Sequence, residues 1–281
     1  MTKKPAIIII ALFSWFLITG CEPFEPLQEN ERHFFSVNGV LDASADTQWV
    51  RVMPVRESLN MEPGLPVPAV TLQHPESGDS VTMNDSLVDY RDGRYAYLFW
   101  TTMEVHPEQT YHLTVEGDGQ TSRAEATLPE DFPVPEFRNP EFNGDILLVE
   151  QVKHLADVQV IYRLRFDGSG EIFEWVFPHL QNSAFIPPDT YRASINAGTM
   201  RTKIIESYCG FTVTERTVFV AAGGPDWPDF ISLDKYTVTL PDGDYSNIEN
   251  GVGFFGGIIS KTFPYVDASG NDGLNRVPCT S

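Results

Sequence analysis

The sequence predicts an all-β protein: an N-terminal immunoglobulin-like β-sandwich followed by a second β-rich domain. Three observations carry this. Short runs alternate apolar and polar residues with period two, the pattern of half-buried strands. Gly, Asp and Ser clusters separate the runs as turns. The 21 Gly and 21 Pro among 281 residues disfavour long helices, while 42% hydrophobic and 12% aromatic residues supply a sizeable core. The length suits one large domain or two ordinary ones.

Residues 1–20 read as a secretion signal. Lys3 and Lys4 precede an apolar stretch from Pro5 to Thr19, too short to span a bilayer comfortably, and small residues follow. The cut region Ile18-Thr19-Gly20-Cys21 resembles the lipobox of bacterial lipoproteins. The resemblance implies that Cys21 becomes the first mature residue and carries acyl chains, which anchor it stably to a membrane. Residues 21–33 form an acidic tether, with Glu22, Glu25, Glu29 and Glu31 interleaved with Pro23 and Pro26. An acidic segment directly behind a lipidated cysteine resembles the surface-export signal of Bacteroidetes lipoproteins. It implies an outer-membrane protein facing outside; an ordinary solvated linker would have the same composition.

Residues 34–128 contain the first strand series. Trp49, Arg51 and Met53 alternate with Val50, Val52 and Pro54; Tyr95, Tyr97 and Phe99 with Arg94, Ala96 and Leu98; Tyr111, Leu113 and Val115 with His112, Thr114 and Glu116. With runs at 70–73 and 124–128, about six short strands suggest the sandwich. Residues 129–141 carry four prolines and read as a connector and domain boundary. In residues 142–281, the runs Val158–Phe166 and Ile172–Phe177 flank Asp167-Gly168-Ser169-Gly170 and read as a long hairpin. Further strands are expected at 201–206, 212–221, 235–240 and 252–260, with a helical turn around Trp227–Leu233.

The apolar residues between Ile248 and Ile259 are expected in the core of the second region, with Gly251, Gly253, Gly256 and Gly257 fixing a bend or bulge. This segment, Asn247-Ile248 followed by Gly251-Val252-Gly253-Phe254-Phe255-Gly256-Gly257, resembles the closing signature of an uncharacterised family of Bacteroidetes outer-membrane lipoproteins. Asp92-Gly93-Arg94-Tyr95 and Gln109–Val115 resemble its N-terminal pattern. The resemblance implies an immunoglobulin-like N-terminal part and an accessory or ligand-capture role beside a TonB-dependent receptor. It brings no catalytic residues.

The charge balance narrows function. A formal net charge of -20 and a pI near 4.5 exclude a basic nucleic-acid face and adsorption to anionic lipid through a basic patch. Catalytic machinery is not legible. No Gly-x-Ser-x-Gly elbow is present, and His33, His74, His106, His112, His154 and His179 lack metal-ligand spacing, so no metal, cofactor or enzymatic activity is expected. Asp242-Gly243-Asp244 and Asp267–Asp272 match no calcium loop and read as turns. Phe99, Trp100, Phe173, Trp175, Phe177 and Trp227 are either core or a surface for sugars or a partner.

With Cys21 acylated, Cys209 and Cys279 remain as one disulfide or two free thiols in a compartment that permits bonding. Asp79-Ser80-Val81 and Asp85-Ser86-Leu87 resemble the Bacteroidetes O-glycosylation acceptor, which would modify Ser80 and Ser86; they read equally as acidic turn residues. The function expected is a non-catalytic binding or accessory lipoprotein, with a glycan-acting hydrolase of dispersed carboxylates and a structural or adhesive envelope protein as alternatives.

Overall fold

Alternation decides which side of each strand is buried. In a computed structural model, described for residues 33–55, 67–89, 95–138, 144–228, 246–267, 273 and 275–279, Phe35, Val37 and Leu41 of β1 (Phe35–Asp42) point inward. Val50 and Val52 of β2 (Gln48–Pro54) do the same, and Trp49 and Arg51 face out. β3 (Ala69–His74), β4 (Asp79–Thr82), β5 (Asn84–Asp89), β6 (Tyr95–Thr101), β7 (Thr110–Gly117) and β8 (Gln120–Thr127) complete a first series of eight strands. β4 and β5 lie where the sequence showed mainly acidic and hydroxyl residues.

Among the described residues the second series holds β9 (Glu136–Arg138), β10 (Asp145–Val149), β11 (His154–Phe166), β12 (Ile172–Pro178), β13 (Ser183–Ile186), β14 (Thr190–Ile195), β15 (Phe211–Gly223), β16 (Ile248–Glu249), β17 (Gly251–Pro264) and β18 (Arg276–Val277). The expected hairpin is β11–β12, in antiparallel register from Gln159↔Pro178 to Arg165↔Ile172. The strand expected at 201–206 is instead part of a helix, α1 (Ala197–Ser207). Asn196 caps it by accepting from Thr199 N at 2.9 Å, and Met200 and Ile204, four residues apart, fill one buried face.

The described residues are all-β apart from α1 and a 3₁₀ turn at Leu180–Asn182, and they form three sheets. One sheet of nine strands runs β12-β11-β15-β17-β1-β2-β6-β5, with β18 added beside β15. A five-stranded sheet, β16-β8-β7-β3-β4, provides the second layer of the first core, which holds Val50, Val52, Phe99, Tyr111 and Leu113. A four-stranded sheet, β13-β14-β10-β9, and α1 cover the second core of Leu147, Val160, Leu164, Ile195 and Val218. Residues from His33 onward belong to one compact unit.

The seam of the large sheet is the parallel pairing of β1 with β17, from Phe35↔Gly251 to Asp42↔Ile258. This corrects the expected role of the glycine-rich segment. Ile248 and Phe255 enter the first core, not the second, and Ile259 alone of that apolar group joins the second. The glycines permit close backbone approach. Gly253 has φ +115, and a Cβ there would lie 2.0 Å from the Val37 carbonyl oxygen. A Cβ on Gly257 would lie 2.9 Å from Thr127 O and Leu128 Cα. Asn247 fixes the turn before them, accepting from Phe255 N at 2.9 Å and donating to Phe255 O at 2.6 Å.

Cys209 and Cys279 are disulfide-bonded. The bond ties the segment holding β18 to the start of β15, closing a loop of sequence separation 70. The signal, Cys21 and the four tether glutamates lie outside the described residues, as do the strand expected at 235–240, most of the helical turn at 227–233, Asp92, Gly93 and Arg94, Asp242 and Asp244, and most of Asp267–Asp272.

Candidate binding surfaces

The outward faces of the large sheet differ in chemistry from one end to the other. At the β11–β15 end the exposed residues are charged: Arg163 lies between Glu174 on β12 and Glu215 on β15, and pairs with both. At the β1–β6 end they are aromatic. The register places Val40, Trp49, Trp100 and Asn84 in one row across β1, β2, β6 and β5. The Trp49 and Trp100 ring centroids are 6.1 Å apart with planes tilted by 37°. Trp49 is 48% exposed and Val40 37%, so the row is open to solvent. Trp100 Nε1 donates to Ser86 Oγ at 3.2 Å, which fixes that indole.

The next row toward the β1 N-terminus is Asn38, Arg51, Leu98 and Ser86, about 7 Å away along the strands. An indole row thus lies beside a row with amide, guanidinium and hydroxyl groups. Flat apolar faces flanked by a few oriented polar groups are the chemistry of a ligand surface, because stacking contributes affinity and polar groups set orientation. The sequence alternation had placed Trp49, Arg51 and Met53 on one side of β2. The missed inference was that Val50 and Val52 make the other side the core.

The remaining aromatic candidates divide between core and surface. Phe99 is fully buried and Phe177 nearly so. Phe173, Trp175 and Tyr208 form a ring cluster at the open flank of the second core, with centroids 6.3 Å apart for Phe173–Trp175 and 5.4 Å for Trp175–Tyr208; Phe173 is 43% exposed. Trp227 packs edge-on against Phe254 with centroids 5.2 Å apart.

Polar candidates also resolve. His106 and His112 each face one carboxylate, Glu104 at 3.8 Å and Glu125 at 3.0 Å. Among the described residues no cluster of three or more His, Cys, Asp or Glu is placed to hold a metal ion. Ser80 is exposed on β4 and Ser86 is half-buried as the acceptor of the Trp100 bond. The buried carboxylate of Asp145 accepts from Tyr265 Oη at 2.5 Å, and burial together with that bond pushes the Tyr265 phenol far up. His179 is held below its usual range by burial, with Nε2 against Met200 Sδ at 3.4 Å.

A separate cavity of about 200 Å³ lies between α1, β11 and β15. Tyr162, Arg201 and Arg216 line it, with Ile204, Phe211 and Val213 as apolar wall. Arg216 is buried, donates from Nε to Tyr265 O at 3.0 Å, stacks 4.1 Å from the Tyr265 ring centroid, and lies 3.9 Å from Asp267. Burial pushes the Tyr162 phenol up, with the Arg216 guanidinium opposing, and the net direction is upward.

No family model matches the chain, and no curated protein matches it. Among solved structures, a pullulanase complexed with maltotriose from Anoxybacillus sp. LM18-11 is similar over 66% of this chain at 10% identity and a TM-score of 0.25. The aligned part spans 24% of the pullulanase. Titin-A168169 is similar over 69% of this chain and 91% of its own at 13% identity and a TM-score of 0.21.

Proposed function

We propose that the chain is an outer-membrane lipoprotein, held by acyl chains on Cys21 and facing outside, that binds rather than catalyses and serves as an accessory subunit beside a TonB-dependent transporter. The carrying observation is the Trp49–Trp100 face, where an exposed indole lies against a half-buried one beside Asn38, Arg51 and Asn84. Exposed apolar surface of this kind costs free energy in the unbound protein and is consistent with a partner or ligand that covers it. The basic start, apolar run and Cys21 support anchoring, and the Cys209–Cys279 bond fits a compartment outside the reducing cytosol. The acids Glu22, Glu25, Glu29 and Glu31 support export to the outer leaflet.

The test has two parts. Trp49→Ala with Trp100→Ala should abolish retardation of the protein in gels containing soluble polysaccharides, or its co-purification with the transporter, while leaving the far-UV spectrum unchanged. If the wild type shows neither behaviour, the binding surface is misassigned. Cys21→Ser should release the protein from the membrane fraction, and a variant that stays membrane-bound overturns the anchor.

A further inference from the structure

We propose that the Trp49–Trp100 face is one end of a longer aromatic stripe that binds a neutral, extended polysaccharide chain. This rests on the reading of that face as the binding surface. The first observation is the far end. Phe255 enters the first core, so its neighbours on β17, Phe254 and Gly256, face the same side of the sheet as Val40 and Trp49. Gly256 lies opposite Val40 in the parallel pairing with β1. Its missing side chain leaves room for two rings: an ideal Cβ there would lie 2.6 Å from the Phe254 ring and 3.1 Å from Cζ3 of Trp227. Gly223 on β15 gives the same room to the base of that indole, with Trp227 Cγ 2.3 Å from an ideal Cβ. The row of Val40, Trp49 and Trp100 is thereby continued across β17 to β15, where it ends on two more rings with centroids 5.2 Å apart.

The second observation is spacing. Neighbouring strands lie about 4.8 Å apart, close to the length of one pyranose unit in an extended chain. From β15 through β17, β1 and β2 to β6 the stripe crosses four such intervals, roughly 19 Å in all. It suits about four or five sugar units laid across the strands, one above each strand.

The third observation is width and charge. On one side of the stripe lie Asn38, Arg51, Leu98 and Ser86; on the other lies Asp42, which accepts from Ser260 Oγ at 2.6 Å. A pyranose ring carries C–H groups on its faces and hydroxyls on its rim. A chain on this stripe therefore stacks its faces on the rings and turns its rims to the polar side chains. A protein partner calls for a broader patch, with a fully buried apolar core inside a polar rim. The formal net charge of -20 repels acidic chains and leaves neutral ones unaffected.

The experiment is calorimetric titration of the detergent-purified full chain, with an empty-micelle blank. The probes are mannohexaose, cellohexaose and xylohexaose, the triose of each series, and hexamannuronate as an acidic chain of the same extended shape. A neutral hexaose should bind, more tightly than its triose and more tightly than hexamannuronate. Trp49→Ala, at an exposed position, should weaken that hexaose about 2- to 10-fold, the effect of one stacked ring. Phe254→Ala should do the same from the other end, and the preference for hexaose over triose tests the length of the stripe if that variant does not fold. No binding of any neutral hexaose, equal affinity for hexaose and triose, tighter binding of hexamannuronate, or wild-type affinity in folded Phe254→Ala would overturn the stripe. If no hexaose binds while Trp49→Ala abolishes co-purification with the transporter, the face is a protein interface and the sugar assignment alone falls. If Trp49→Ala changes neither sugar binding nor co-purification, the face itself is misassigned.

Discussion

Replacing Phe255 with alanine tests the seam between β1 and β17 most directly. The ring is fully buried in the first core, although its strand comes from the far end of the chain. Its Cδ2 lies about where a side chain on Gly39 would begin, 3.1 Å from an ideal Cβ there, so β1 has no bulk with which to fill the vacated space. Asn247 clamps the Phe255 backbone from both sides, which restrains collapse of the site. A Phe→Ala change under those conditions costs about 3–5 kcal/mol. For a unit of this size that is a fall in Tm of about 6–20 °C. Phe254 is half-buried and mainly meets Trp227, so Phe254→Ala should cost only about 0.5–1.5 kcal/mol. Urea titration followed by near-UV circular dichroism measures both. Hydrogen exchange then locates the damage: β2 and β7 should lose protection before α1 and β14. A Phe255→Ala protein within 1 kcal/mol of wild type, or one whose first losses fall on α1 and β14, would refute the assignment of this ring to the first core.

Three further outcomes follow from the packing. Cys209→Ala with Cys279→Ala should destabilise the protein by about 4 kcal/mol on the chain-entropy model, with exchange rising first at β18 and the start of β15, as read by mass spectrometry. The Tyr265 phenol keeps its proton in the folded state above the model-peptide value of 10.0. Unfolding therefore releases a proton above pH 10, so stability is intact below that pH and falls as pH rises; Tyr265→Phe should remove that part of the alkaline loss while costing about 1–3 kcal/mol at neutral pH through the lost bond to Asp145. Burial depresses the His179 pKa, so the unfolded chain binds the proton first as pH drops through 6.5 and stability declines there; His179→Gln should flatten the decline in urea titrations between pH 7 and 5.

Much of the fold is local and therefore legible. The alternation in β2, β7 and β11 needs only neighbouring residues, and the Asp167–Gly170 turn sets the β11–β12 hairpin. What failed was either a competing local signal or a distant partner. Residues 201–206 were expected as a strand. The deciding signals were the Asn196 cap and the Met200–Ile204 spacing, both helical. The destination of Phe255 depends on pairing with β1, which no local pattern encodes. The indole face lay in the sequence as Trp49 and Trp100 on alternating positions, but their neighbourhood exists only through the β2–β6 register. The Tyr162 cavity was not legible at all, because its walls come from β11, α1, β15 and the segment bearing β18.

The parallel seam also constrains how such a chain comes to be folded. Phe35 cannot meet Gly251 until more than 200 further residues have left the ribosome, about 10–40 s at ordinary synthesis rates. Until then β1 has a neighbour on one side only, and the first core lacks both Ile248 and Phe255. Loop closure on this scale slows the final step, and a chain that reaches its native state late stays longer in a threadable form. For the same reason a fragment ending at Pro129 would expose the flank of β1 and lack Ile248 and Phe255 in its own core. Shortening the protein from its C-terminus should therefore damage its oldest-synthesised half.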